Sequence, residues 1–306
     1  PHSRVERNYG ALGSFIEVVG LCRGEQRRGG SSNLRAMAKA KQLLEDLTFA
    51  GPHEVLRGDL ALVGQPGVVY TPKEGRALPA VAFGHGWLQP AGRYRELLRH
   101  LASWGIVAAA PSTQRGPLPS HRLFADDLLS TLEMVTNVRL GPGAISVDPL
   151  KLGLAGHSTG GGAAVLAAAK APAVRAVATF APAQTIPSAS RAAEQVECPG
   201  MHLAADDDLV APAQGNAEVI TRAWAGPAQL RTLPKASHLA VAEGSHWSQL
   251  LVHGKPHRAT QRTVRALFTA FFLTHLTGTD KYRPLLDESV KAAKIVDLDE
   301  KEKAAH

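Results

Sequence analysis

The apolar run Leu150 to Ala155 leads directly into Gly156-His157-Ser158-Thr159-Gly160, and a small-residue stretch then opens into Ala163-Ala164-Val165-Leu166-Ala167. The first segment reads as a buried strand and the last as a helix. A serine at the apex of a sharp strand-to-helix turn is exposed for attack, and the outer positions of such a turn need little or no side chain because neighbouring backbone passes close to them. Chance G-x-S-x-G matches are common, but matches in this strand–turn–helix setting are not. Ser158 is therefore a candidate nucleophile before it is a structural turn residue.

The same alternation extends on both sides. Expected strands lie at His53 to Val63, Val68 to Tyr70, Pro79 to Phe83, Ile106 to Ala110, Val174 to Phe180, Met201 to Ala205 and Gln229 to Leu233. The first two form an antiparallel pair across Gly64-Gln65-Pro66-Gly67. Helical spacing falls at Tyr94 to Ser103, His121 to Arg139, Gly161 to Ala171, Ala213 to Trp224 and Thr260 to Leu276. Short apolar strands separated by helices predict an α/β fold with a mostly parallel sheet covered on both faces. Residues 1–50 are expected to be an N-terminal extension with one helix, from Leu34 to Leu47, capped by Asn33 after a flexible break at Gly29-Gly30-Ser31-Ser32. Residues 51–284 are expected to form the catalytic unit, and 285–306 a charged tail ending in a loose helix over Asp297 to Lys303.

Composition narrows the function classes. The chain has 306 residues, of which 44% are hydrophobic and 20% charged, enough for a sizeable core. Its formal charge of +7 is dispersed, with no zinc-finger spacing or RNA-binding motif beside it, so no nucleic-acid partner is expected. Apolar runs are too short to cross a bilayer. Two cysteines, Cys22 and Cys198, make no disulfide framework. The compartment stays open, with the cytoplasm slightly favoured unless a leader has been removed. After Gly160-Gly161-Gly162 stand Ala163-Ala164 in place of a lysine and hydroxyl residue, so no nucleotide cofactor is expected.

A serine hydroxyl needs a base, and the base needs an orienting acid. In the elbow arrangement both follow the nucleophile, acid first. His238 leaves the last expected strand through Pro234-Lys235-Ala236-Ser237, at the same sheet edge as Ser158, with His246 as the alternative. The acid comes from Asp206-Asp207-Asp208. Asp208, beside Leu209-Val210 and ahead of Pro212, is preferred over Asp206. No His or Glu at ligand spacing accompanies the aspartates, so no metal is expected. Oxyanion donors are expected at the backbone N–H of Thr159 and of Trp87, the latter in Gly84-His85-Gly86-Trp87. The Trp87 ring would wall the pocket, unless it is an ordinary core aromatic, and His85 would support the loop.

At these residues the chain resembles the α/β-hydrolase superfamily, and within it the branch of bacterial cutinases, polyester (PET) hydrolases, plant chlorophyllases and dienelactone-hydrolase-like proteins. Ala80 to Trp87 is similar to the family's strand and oxyanion loop, Leu101 to Pro111 to its next helix and strand, and Gly156 to Gly162 to its nucleophile motif. Ala204 to Pro212 resembles the acid loop, with the aspartate on Asp208, and Lys235 to His238 the histidine loop. The resemblance implies an α/β-hydrolase fold and a serine carboxylic-ester hydrolase acting through an acyl-enzyme.

The departures concern the substrate. Polyester hydrolases typically carry methionine where Thr159 stands, an aromatic where Ala183 stands, and tyrosine or phenylalanine where Trp87 stands. Residues 185–197 and 239–258 are expected to wall or cap the pocket, with His157, Ala183, His246 and Trp247 as pocket candidates. A small, aromatic or lipid-like ester is accordingly expected ahead of a polymer. The alternatives are polyester, amide or thioester hydrolysis on the same fold, and a binding protein with a degenerate site.

Overall fold

The computed structural model describes residues 25–299 of the chain. Cys22 lies outside these residues; Cys198 is half-buried, and burial pushes its thiol up to about 11. The strands are β1 (Val55–Asp59), β2 (Gly67–Pro72), β3 (Gly75–Gly84), β4 (Val107–Pro111), β5 (Ile145–His157), β6 (Val174–Phe180), β7 (Gly200–Ala205), β8 (Ala228–Leu233) and β9 (Lys294–Ile295). They form one sheet in the order β1-β2-β4-β3-β5-β6-β7-β8-β9. Pairing is parallel from β4 through β8 and antiparallel for β1–β2, β2–β4 and β8–β9.

Alternation along the central strands divides the interior in two. Val81 and Phe83 of β3 and Ala108 and Ala110 of β4 enter one core; Ala80, Ala82, Val107 and Ala109 enter the other. Because strand side chains alternate between faces, a strand covered on both sides must be apolar at every position. The first core is closed by α1 (Glu25–Leu47), α2 (Arg95–Ser103), α7 (Arg258–Thr277) and α8 (Arg283–Asp287). The second is closed by α3 (His121–Asn137), α4 (Thr159–Lys170), α5 (Ala189–Ala193) and α6 (Ala217–Arg222). This is the mostly parallel, doubly covered sheet that the sequence predicts.

Three local expectations fail. The break at Gly29 to Ser32 and the cap at Asn33 are absent, because α1 runs continuously from Glu25. Each glycine costs a helix about 1 kcal/mol; burial of Ala40, Leu43 and Leu47 in the first core supplies the opposing gain. The first strand stops at Asp59, whose carboxylate accepts from Ala61 N–H at 2.9 Å and starts a 3-10 turn over Leu60–Val63. The expected C-terminal tail is packed into the molecule at its start: Leu285 and Ala293 are fully buried, and β9 adds an edge to β8.

The anchor of that segment is Arg231 in β8, fully buried. Its guanidinium donates to the carbonyls of Leu285, Leu286, Glu288 and Ala293 and to Gln229 Oε1. Burial lowers its pKa to about 10, so the group stays charged and is solvated by backbone dipoles instead of a carboxylate.

Candidate active site

Strand β5 ends at His157, and α4 begins at Thr159, so Ser158 alone forms the turn between them. It sits at φ 55° and ψ −125°, a backbone state that costs a non-glycine residue on the order of 1–3 kcal/mol. The surroundings fix it there. Ser158 N–H donates to Phe180 O at 3.1 Å, and its carbonyl accepts from Gly162 at 3.1 Å and Ala183 at 3.0 Å. The flanking glycines answer to close approach: a Cβ on Gly156 would lie 2.3 Å from Gly160 O, and one on Gly160 would lie 2.2 Å from the Gly84 carbonyl carbon.

The loop after β8 carries His238 to this turn. His238 Nε2 lies 2.8 Å from Ser158 Oγ, and His238 Nδ1 lies 2.7 Å from Asp208 Oδ2. All three side chains are buried. Asp208 Oδ1 accepts from Val210 N–H at 2.8 Å and Ala211 N–H at 2.9 Å. Burial alone would raise the Asp208 carboxyl; the hydrogen bond and charge of His238, with the two backbone N–H groups, outweigh it and hold the pKa below the ordinary value. Asp206 and Asp207 are exposed. The acid loop thus turns one carboxylate of the three inward, and it is Asp208.

A cleft with about 210 Å³ of empty space opens over Ser158, lined by Trp87, Gln89, His157, Val210, His238, Leu239 and Val252. The backbone N–H groups of Trp87 and Thr159 have no protein acceptor among the described residues. The Trp87 ring is half-buried, with Nε1–H on Pro117 O at 3.0 Å, so it is a wall and not a core aromatic. His85 places its two ring nitrogens 2.9 Å from Gly86 O and 2.8 Å from Thr113 O, which ties the loop after β3 to the segment after β4.

The pocket candidates fare unevenly. His157 forms part of the cleft floor but is fully buried, with both nitrogens bonded inward. Ala183 does not line the cleft; its backbone packs against the elbow. His246 is taken up by Ser248, with Nδ1 2.8 Å from Ser248 Oγ, and Trp247 stands 56% exposed and does not line the cleft. Neither reaches Ser158. No group of three or more His, Cys, Asp or Glu side chains suited to a metal occurs among the described residues.

Several contributors carry no sequence signal. Arg93 is buried and donates to the carbonyls of Glu243 and Gly244, both at 2.8 Å, and to Gln89 Oε1. Gln89 Nε2 in turn donates to Ser248 Oγ at 2.9 Å. The residues after His238 are thereby pinned to the segment that follows Trp87. Tyr94, which the sequence reads as the start of a helix running to Ser103, places its hydroxyl 2.7 Å from His157 Nδ1. Only the helical spacing around Tyr94 was available in sequence, and it gives no hint of a buried hydroxyl contact.

No helix among the described residues is long and apolar enough to cross a membrane. No curated protein matches the chain. A family model described as PETase, PET hydrolase-like, matches residues 43–249, a stretch that holds β1 to β8 and the Ser158, Asp208 and His238 loops, and the chain belongs to this α/β-hydrolase family of ester-bond hydrolases.

Proposed function

We propose that the chain is a serine carboxylic-ester hydrolase in which Ser158 is the nucleophile, His238 the base and Asp208 the orienting acid. The observation that carries this is the unbroken contact Ser158 Oγ–His238 Nε2–His238 Nδ1–Asp208 Oδ2, at 2.8 and 2.7 Å. His238 takes the hydroxyl proton as Ser158 Oγ attacks the ester carbonyl, and the Asp208 carboxylate holds the proton on Nδ1 and favours the imidazolium. The backbone N–H groups of Thr159 and Trp87 receive the developing oxyanion. The imidazolium then protonates the leaving alcohol. Water, deprotonated by the same histidine, attacks the acyl-enzyme and releases the acid.

The cleft over Ser158 supports an ester with an apolar acyl group. Its lining is apolar around the reacting atoms, with Trp87, Val210, Leu239 and Val252. The unit that carries the reaction is the one expected over residues 51–284, extended by the segment that Arg231 binds. Replacing Ser158 with alanine is expected to abolish hydrolysis of p-nitrophenyl butyrate while leaving the circular dichroism spectrum unchanged; full activity in that variant would refute the assigned nucleophile.

A second reading, hydrolysis of a polyester, is favoured by the family and by one structural observation. Leu118, Ile186, Leu209, Trp247, Leu250 and Leu251 are exposed large apolar side chains. Leu209 adjoins Val210 in sequence and Leu251 adjoins Val252, two residues that line the cleft. Leu118 follows Pro117, whose carbonyl accepts from Trp87 Nε1–H. Exposed apolar side chains in these segments suit a water-insoluble ester. Soluble products released from an amorphous polyester film, at a rate comparable with that on tributyrin emulsion, would favour the polymer; film turnover absent beside brisk tributyrin hydrolysis would favour the smaller ester.

A further inference from the structure

A second imidazole lies directly beside the reacting one, and the mechanism above gives it no work. The ring centroids of His157 and His238 are 4.9 Å apart. Both nitrogens of His157 are spoken for: Nε2 lies 2.9 Å from the His238 carbonyl oxygen, and Nδ1 lies 2.7 Å from Tyr94 Oη. The Tyr94 hydroxyl also receives the backbone N–H of Gly86 at 3.1 Å. Tyr94 and His157 are both fully buried, with no water-facing surface.

The chemistry of these groups admits one arrangement of protons. A carbonyl only accepts, so His157 Nε2 carries the hydrogen. Burial, reinforced by the neighbouring His238 ring, holds the His157 pKa well below its ordinary value, so the ring is neutral and Nδ1 is a bare acceptor. Tyr94 Oη–H must therefore donate to Nδ1, which leaves an oxygen lone pair for Gly86 N–H. Burial pushes the phenol pKa far up, so it keeps its proton. The result is a directed chain, Gly86 N–H to Tyr94 O–H to His157 Nε2–H to His238 C=O. Every polar atom in it is satisfied.

The two ends of this chain are the two loops that the reaction must hold in register. Gly86 precedes Trp87, whose N–H is one oxyanion donor, and His238 is the base. Gly86 is itself required by the contact, since a Cβ there would lie 2.8 Å from His157 Nδ1. We propose, on the reading of Ser158, His238 and Asp208 given above, that Tyr94 and His157 are positioning residues that fix the His85–Gly86 peptide, and through it the adjoining Trp87 N–H, relative to the base. His157 remains neutral throughout turnover, so it neither competes for the Ser158 proton nor repels the imidazolium.

Tyr94→Phe tests this, because it keeps the ring that packs on Phe83 at 4.8 Å and deletes only the link between Gly86 and His157. Loss of one oxyanion donor costs on the order of 10²–10³ in kcat, and a displaced donor is expected to cost about 10- to 100-fold, with KM within about twofold. The discriminating readout is the rate ratio between an oxoester and the matching thionoester. A thiocarbonyl sulfur makes poor use of oxyanion donors, so a misplaced donor lowers the oxoester rate far more than the thionoester rate. A collapse of that ratio in Tyr94→Phe supports the proposal; equal losses on both substrates, or unchanged rates, overturn it. Should Tyr94→Phe fail to fold, His157→Leu, which removes both the acceptor for Tyr94 and the donor towards the His238 carbonyl, carries the same prediction and the same refutation.

A measurement on the wild-type protein separates this proposal from the functional reading. Nitrogen-15 NMR of His157 is expected to show a protonated Nε2 and a bare, hydrogen-bonded Nδ1 from pH 5 to 9; the opposite tautomer or a cationic ring overturns the chain of bonds whether or not the protein hydrolyses esters. Absence of esterase activity in the wild type, by contrast, strikes the functional reading alone.

Discussion

Replacing Asp208 with asparagine perturbs the proposed relay at one atom and leaves its shape intact. Asp208 Oδ1 accepts two backbone N–H groups, from Val210 at 2.8 Å and Ala211 at 2.9 Å. An asparagine must keep its carbonyl oxygen at that position, because an NH₂ there would face two donors. The amide nitrogen is then forced to the other position, 2.7 Å from His238 Nδ1 in the native geometry. A donor facing Nδ1 requires that nitrogen to be bare, which moves the ring proton to Nε2, 2.8 Å from Ser158 Oγ. The base then presents N–H where it must present a lone pair. In a serine protease the equivalent change lowers kcat about 10⁴-fold, about 5.5 kcal/mol at ~1.4 kcal/mol per decade. A loss of 10³- to 10⁴-fold in kcat on p-nitrophenyl butyrate is expected here, with unchanged secondary structure and a His238 tautomer reversed by nitrogen-15 NMR. Asp206→Asn, at an exposed carboxylate, is expected to stay within about threefold of wild type. Loss below tenfold in Asp208→Asn, or a larger loss in Asp206→Asn, would refute both the choice of acid and the tautomer argument.

Two further predictions concern stability. Arg231→Met removes a donor from four carbonyls, of which Leu286 O and Ala293 O keep another from Gln229 Nε2 and Val290 N–H, and is expected to cost about 3–5 kcal/mol, lowering Tm by roughly 5–15 °C and exposing residues near 285–296 to proteolysis; a cost below ~1 kcal/mol would show that the C-terminal segment is held by other contacts. Glu243, pushed up to about 7 chiefly by burial with the charge of Glu96 adding to it, against the pull of Glu96 N–H, Arg95 and Arg265, binds its proton more tightly folded than unfolded. Its contribution is therefore fully present below pH ~4.5 and lost as pH rises through about 7. Glu243→Gln is expected to remove that slope, so that its Tm advantage over wild type grows from pH 5 to pH 8; a pH-independent difference would contradict the assignment.

What could be read in advance follows how local each signal is. The strand–turn–helix around Ser158 and the doubly covered sheet depend on neighbours in sequence, apolar runs and small residues, whereas the apolar pair Leu209-Val210 beside Asp208 is itself exposed, and Asp208 turns inward to the backbone N–H groups of Val210 and Ala211 and to His238. The failures depend on partners far away. Nothing near Gly29 to Ser32 reveals that the helix continuing through them is held by Ala40, Leu43 and Leu47 packing on α7 and α8. Nothing near Leu285 reveals the guanidinium of Arg231, over fifty residues upstream, that takes up its carbonyl. Tyr94 reads as no more than the start of a helix, since a buried hydroxyl becomes informative only when Gly86 and His157 are brought to it. Ala183 and His246 follow the expected loops closely in sequence, but the elbow backbone and Ser248, respectively, claim them first, and Trp247 stands exposed without lining the cleft.

The central claim is that one serine oxygen, activated by the imidazole beside it, bonds to a carbonyl carbon. Treatment with an excess of a p-nitrophenyl alkylphosphonate, followed by peptide mass spectrometry, tests it most directly. One phosphonyl group per chain is expected, on the Ser158 peptide, with esterase activity lost in step. Stoichiometric loss of activity with the label elsewhere, or a fully active enzyme with Ser158 unmodified, would contradict it.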